Sequence, residues 1–236
     1  PERVSLCVDL GAALQRLGQL AAAQEEARRC LTLAPKDAGA LGLQAGLLVA
    51  AGQLGPGINT YRQALALDPR PAIGASLGQA LYQRGIQALY AGGLGAQAAR
   101  AALPDLREAQ ERWATPVATR ALAGALVAAG SAGDAAALLR PLAERSREPE
   151  VLLLYARALR EAGRAGAASD VLAKVTALGH LGVALRDEQA LTLLSQQRAA
   201  ESCSLLEKTG GTGETHERLY ALACLQAARA AVHAAE

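Results

Sequence analysis

Two consecutive stretches, 4–35 and 38–69, carry the same residue types at the same places, and this 34-residue register limits the fold more than any other feature. The first reads Leu10-Gly11-x-x-Leu14-x-x-x-Gly18-x-x-x-x-Ala23, then Cys30, then Leu33-Ala34-Pro35. The second reads Gln44-Ala45-x-x-Leu48-x-x-x-Gly52-x-x-x-x-Gly57, then Ala64, then Leu67-Asp68-Pro69. A period of this length, marked by small residues and a closing proline, belongs to a stacked helical unit rather than to strands.

Within the first unit, Leu6, Leu10, Leu14 and Leu17 recur three and four apart and make one helical stripe. Gly18 and Gly52 end the first helix of each unit, because glycine enters the left-handed conformation of a helix C-terminus at little cost. A second amphipathic helix follows, and the proline closes it by withholding a backbone donor. The predicted helices are 2–17, 20–33, 38–51 and 54–67. The small residues Gly11, Ala23 and Cys30, with Ala45, Gly57 and Ala64, let antiparallel helices approach closely. One such hairpin cannot bury its apolar face alone, so the units stack and share a continuous core.

The third unit starts in register with Leu77-Gly78-x-x-Leu81-x-x-x-Gly85, but its apolar pattern runs on without a break. One long helix over 72–91 is predicted, interrupted by Gly92, Gly93 and Gly95. A helix over 96–103 follows, and Pro104-Asp105 reads as a fresh helix start. Regularity returns at Thr115-Pro116, an N-cap and first-position proline. The fourth unit is Leu122-Ala123-x-x-Leu126-x-x-x-Gly130-x-x-x-x-Ala135, whose second helix contains Pro141 and is expected to kink or split there. The fifth is Tyr155-Ala156-x-x-Leu159-x-x-x-Gly163-x-x-x-x-Ala168. A sixth, weaker unit has Gln197 where the turn glycine would stand, and a glycine loop at 210–213 leads to a last helix over 214–235.

This pattern resembles the tetratricopeptide repeat (TPR) family, strongly over 4–69 and 116–180 and weakly over 72–115 and 183–209. It departs in holding Cys7 and Leu41 where a bulky aromatic usually stands, and in keeping Tyr61 alone among the second-helix aromatics. The resemblance implies an all-α, right-handed α-solenoid of antiparallel helix hairpins, a single array over 1–236. It further implies a concave groove, lined by the first helix of each repeat, that holds a protein or peptide partner. Carried onto this chain, the groove contains Val8, Ala12, Gln15 and Arg16, then Gly42, Gly46 and Val49, then Gln79, Tyr82 and Gln83. Further along it contains Arg120, Gly124 and Val127, then Arg157 and Arg160. The family's clamp for a C-terminal carboxylate places Lys and Asn where this chain has Val8 and Ala12, or Gly42 and Gly46, so such a clamp is not expected. A floor of Gly and Ala admits a helix or extended segment by shape, unless these glycines merely suit tight helix packing. Arg120, Arg157 and Arg160 offer a basic end suited to an acidic partner segment. The alternative role is a structural spacer or assembly module of a larger protein, such as an export or polysaccharide-secretion scaffold.

Composition narrows the remaining classes. The net charge of +2 comes from interspersed Lys, Arg, Asp and Glu without a basic block, so no nucleic-acid partner is expected. No apolar run reaches the roughly 18 uncharged residues of a membrane span. His180, His216 and His233 stand far apart, and no metal, phosphate-binding or nucleophile motif is present, so neither enzyme activity nor a cofactor is expected. The compartment stays open between cytoplasm and periplasm.

Cys7 and Cys30 flank the first turn symmetrically, and Cys203 and Cys224 flank the last. In an antiparallel hairpin such pairs lie level, so two bridges are feasible where the helices pack closely. Cys30 also stands where the repeat wants a small side chain, and free cysteine packs like a small hydrophobe. The sequence therefore favours four unbridged core residues. The final stretch, from Leu219 to Val232, is apolar nearly all round, which suggests that the array continues in a longer chain or covers this face with another molecule.

Overall fold

The computed structural model describes residues 2–179, 182–209 and 214–233; the 210–213 loop, His180 and the expected end of the last helix fall outside them. Among the described residues there are thirteen α-helices and no strand. They form two compact units, 1–122 and 123–236. The first holds α1 (Glu2–Arg16), α2 (Leu20–Leu33), α3 (Ala38–Ala50), α4 (Leu54–Leu67), α5 (Pro71–Ala91) and α6 (Ala96–Arg112). Helix α7 (Pro116–Ala128) crosses the boundary. The second unit continues with α8 (Ala132–Arg145), α9 (Pro149–Glu161), α10 (Ala165–Ala177), α11 (Val183–Ser195), α12 (Ala199–Thr209) and α13 (Glu214–His233).

Successive helices pack on one another from α1 to α6 in the first unit and from α8 to α13 in the second, and the first helix of a hairpin also touches the first helix of the following one: α1 on α3 and α3 on α5, then α9 on α11 and α11 on α13. This is the stacking of an all-α helical-repeat solenoid. Every turn inside a regular hairpin is built alike. Gly18 takes φ +75°, its N–H donates to the Gln15 carbonyl, and the Gln19 N–H donates to Leu14. That pair of bonds caps the last carbonyls of α1. The same pair recurs at Gly52, Gly130 and Gly163. Gln197 also takes the left-handed conformation, φ +63°, with its N–H on Leu194 and the Arg198 N–H on Leu193. At the other junctions, Asp37 caps α3 by accepting from the Ala40 N–H at 2.8 Å, and Thr115 accepts from Ala118 at 3.3 Å ahead of Pro116.

Ala23, Cys30, Ala45 and Ala64 are fully buried. Leu43 fills the space that a side chain at Gly11 would need, and a Cβ on Gly57 would stand 2.7 Å from Val49. In the irregular segment, Gly78 and Gly85 hold α5 against α6: a Cβ there would meet Trp113 at 2.7 Å and Leu106 at 2.8 Å.

Four expectations are corrected. Pro104 does not start a helix; α6 runs through it from Ala96 to Arg112. The proline removes one backbone bond. That loss is offset by a buried face of Ala98, Ala99, Ala102, Leu106 and Ala109, and by Arg84 of α5 holding Asp105 through two bonds of 2.6 and 2.7 Å. Pro141 likewise does not split α8, which keeps Ala136, Leu139 and Ala143 buried across it. The leucine stripe of α1 is not its buried face, since Leu6, Leu10 and Leu17 stay 68%, 48% and 72% exposed while Cys7 and Gly11 are buried. The cysteines are not free: Cys7 is bonded to Cys30 and Cys203 to Cys224, with Cα atoms 5.8 and 4.9 Å apart. Small residues bring the hairpin backbones within bridging range, which spacing alone does not reveal.

Two outcomes test this description. Gln197→Gly should stabilise the chain by roughly 0.5–1 kcal/mol, since a left-handed non-glycine residue is strained and glycine recovers less than the full difference. Denaturant titration of parent and variant checks this; an unchanged midpoint would overturn it. Alkylation of the unreduced protein should add no mass, and reduction should lower stability by about 3 kcal/mol per bridge, given loops of 23 and 21 residues.

Candidate functional site

The repeat register places the first helices α1, α3 and α5 side by side, and between them runs a groove of about 680 Å³. Val8, Ala12 and Gln15 come from α1, one helical turn apart. Gly42, Gly46 and Val49 come from α3, and Gln79 and Gln83 from α5. These eight sequence candidates thus share one lining.

The floor is α3. Gly39, Gly42 and Gly46 bring its backbone toward the groove over two turns, beside Leu43, Val49 and Ala50, with Val8 3.6 Å from the Cβ position of Gly39 and Ile73 3.7 Å from that of Gly42. The empty position at Gly46 admits Tyr61, which reaches up from α4 although its side chain is only 7% exposed. A Cβ at Gly46 would stand 3.1 Å from the Tyr61 hydroxyl and 3.2 Å from Nε2 of Gln15, so both polar tips converge over this glycine. Burial pushes the Tyr61 phenol above its ordinary pKa, with a Ser76 hydrogen bond acting the other way; the hydroxyl is neutral. Polar groups on the walls are Gln15, Gln79, Gln83 and Ser76, and none of the lining residues is charged. Among the described residues, Gln15, Gln79 and Gln83 make no side-chain hydrogen bond to the protein.

Three first-unit candidates lie elsewhere. Arg16, in the last turn of α1, folds back so that its Nε donates to the Ala12 carbonyl at 3.4 Å. Tyr82 turns toward α6 and meets Trp113 edge-on at 5.7 Å. Arg120 stands half-buried on α7. In the second unit, Gly124 faces open space, whereas Val127 is buried and unavailable to a partner. Arg157 and Arg160 do not form an unneutralised basic end. Arg157 donates to Glu161 at 2.9 Å, and Arg160 of α9 donates to Glu188 of α11 at 2.6 Å, both side chains of the latter pair being largely buried. Sequence reasoning missed Gly39, Ser76 and Tyr61. Gly39 and Ser76 continue the stripes of Gly42 and Gln79 one turn back, a signal that was present. Tyr61 belongs to a second helix, and only the missing side chain at Gly46 lets it through.

The comparisons agree with this architecture. Residues 4–37 match a tetratricopeptide-repeat family model. Residues 4–37 are thus similar to a tetratricopeptide repeat, and the chain has the all-α helical-repeat fold of TPR proteins. It is similar to a tetratricopeptide repeat protein from Parabacteroides merdae, at 20% identity over 95% of this chain and 85% of that one, with a TM-score of 0.50. It is similar to pilF of Pseudomonas aeruginosa, at 17% identity over 93% and 97% of the two chains, with a TM-score of 0.51. It also spans 37% of a chain in the Naa15/Naa10 complex bound to HypK-THB, at 17% identity over its full length and a TM-score of 0.58. Among curated proteins, none matches it in sequence. The TPR fold is that of a protein–protein interaction scaffold, and no described helix is long and apolar enough to cross a membrane.

The Arg160–Glu188 pair gives a structural test. Arg160→Leu leaves Glu188 buried without its partner and should cost about 2–3 kcal/mol in denaturant titration. A stability equal to the parent's would return Arg160 to the role of a free surface cation.

Proposed function

We propose that this chain is a scaffold that seats a segment of a protein partner in the groove between α1, α3 and α5. The observation that carries the reading is the groove itself: about 680 Å³, within the range of binding clefts, drawn from three successive first helices. Three glycines lower the α3 floor, so a partner's backbone can come close to that helix between Val8, Ile73 and Tyr61. The two disulfides suit an oxidising compartment.

A second reading, an assembly module stacked against another molecule, draws support from exposed leucines near either end: Leu6, Leu10 and Leu17 on α1, and Leu222 and Leu225 on α13.

Gly46→Arg separates the two. The new side chain meets the Tyr61 hydroxyl and the Gln15 amide at 3.1 and 3.2 Å from its Cβ and then fills the groove. Partner affinity measured by titration should fall at least tenfold while the helical circular-dichroism signal is kept. Equal affinity in variant and parent would reject the groove. If Leu6→Glu with Leu10→Glu abolishes association instead, the assembly reading takes its place.

A further inference from the structure

We propose that the groove recognises an extended, uncharged peptide segment with small side chains turned toward α3, through the side-chain amides of Gln15, Gln79 and Gln83. This rests on the groove reading above and names what it takes.

Charge is the first argument. None of the lining residues is ionic, and the Asp37 carboxylate beside Gly39 is taken up by the Ala40 N–H, so a charged side chain over Gly42 and Gly46 loses water and gains no counter-ion, and neutral occupants are selected. Acidic and basic segments are both disfavoured, which separates this groove from one built to clamp a carboxylate.

The second argument is hydrogen-bond inventory. A glutamine amide offers a donor and an acceptor side by side, the complement of a peptide group. Gln15 stands on one wall and Gln79 and Gln83 on the other, each without a protein partner among the described residues. A helical occupant has already paired its interior backbone groups within itself and would leave three amides facing nothing but side chains. An extended segment presents its peptide groups outward.

The third argument is spacing. Gln79 and Gln83 are one turn apart, about 6 Å along α5 at 1.5 Å per residue. Equivalent peptide groups along an extended chain recur every second residue, about 6.6–6.8 Å. Two glutamines on one wall therefore match alternate peptide groups of one strand-like segment. Along the floor, Gly39 to Gly46 span roughly 10 Å of helix, or about three residues of extended chain, with Leu43 between them and room above the glycines for small side chains alone. At the Gly46 end the neutral Tyr61 hydroxyl supplies one more hydrogen-bonding group.

The test uses a phage-displayed library of random dodecapeptides selected on the full chain and counter-selected on Gly46→Arg. The expected winners lack Asp, Glu, Lys and Arg and carry Gly, Ala or Ser at alternate positions. A synthetic winner should change affinity less than twofold between low and high salt. It should bind about tenfold more weakly to the doubly substituted Gln79→Leu, Gln83→Leu chain, whose circular dichroism should match the parent's. N-methylation of alternate peptide bonds in the winner should abolish binding. Charged or helix-forming winners, or a winner indifferent both to N-methylation and to the double substitution while still lost on Gly46→Arg, would overturn this recognition and leave the groove standing. A library with no member that distinguishes parent from Gly46→Arg would overturn the groove reading as well.

Discussion

Close approach between helices, made by side chains that are absent, is the constraint on which this structure depends. Leu43 of α3 sits where Gly11 of α1 has no side chain, Val49 leans over Gly57, and the long α5 rests on α6 at Gly78 and Gly85. With few aromatics and many alanines, the chain fills its interior by bringing backbones together rather than by interlocking large groups. The groove has the same origin, since three glycines on its α3 floor repeat the small-residue habit that packs the helices.

Charge is arranged around that scheme and kept off the groove. Arg84 is tied to Asp105 between α5 and α6, and Arg62 of α4 and Arg112 both reach Glu108, at 2.6 and 2.9 Å. Burial acts to raise the Glu108 pKa, and the two guanidinium groups outweigh it, holding the carboxyl below its ordinary range. Exposed ion pairs of this kind add little stability each. Their value is positional, because they fix which faces of neighbouring helices meet.

Much of the fold was legible in the sequence. The turn glycines and the closing prolines set the first four helices to within a residue, because those signals act through local backbone geometry that no distant contact overrides. Pro104 as a helix start and Pro141 as a helix break misled for the opposite reason. A proline reads as a break only until the helix has a neighbour worth keeping, and the buried alanines of α6 are invisible as a packed face without α5 beside them. The leucines of α1 show the limit of periodicity: a stripe reveals that a helix is amphipathic, not which neighbour covers it. In the candidate site, eight residues were recoverable from repeat register. Tyr61 was not, since its hydroxyl arrives from a second helix through a gap defined in three dimensions. The pairing of Arg160 with Glu188 joins residues 28 apart, and nothing local announces it.

The disulfides bear on how the hairpins that carry them come apart. A helix pair in a repeat array opens locally when its two helices part, at a cost set by the contacts that hold them. In the α1–α2 hairpin Cys7 is tied to Cys30, and in the α12–α13 hairpin Cys203 is tied to Cys224. Separation of either pair is limited by a closed loop, so each helix keeps its partner within reach when their packing loosens. Amide hydrogens in α2 and α12 would then exchange more slowly in the oxidised protein than after reduction.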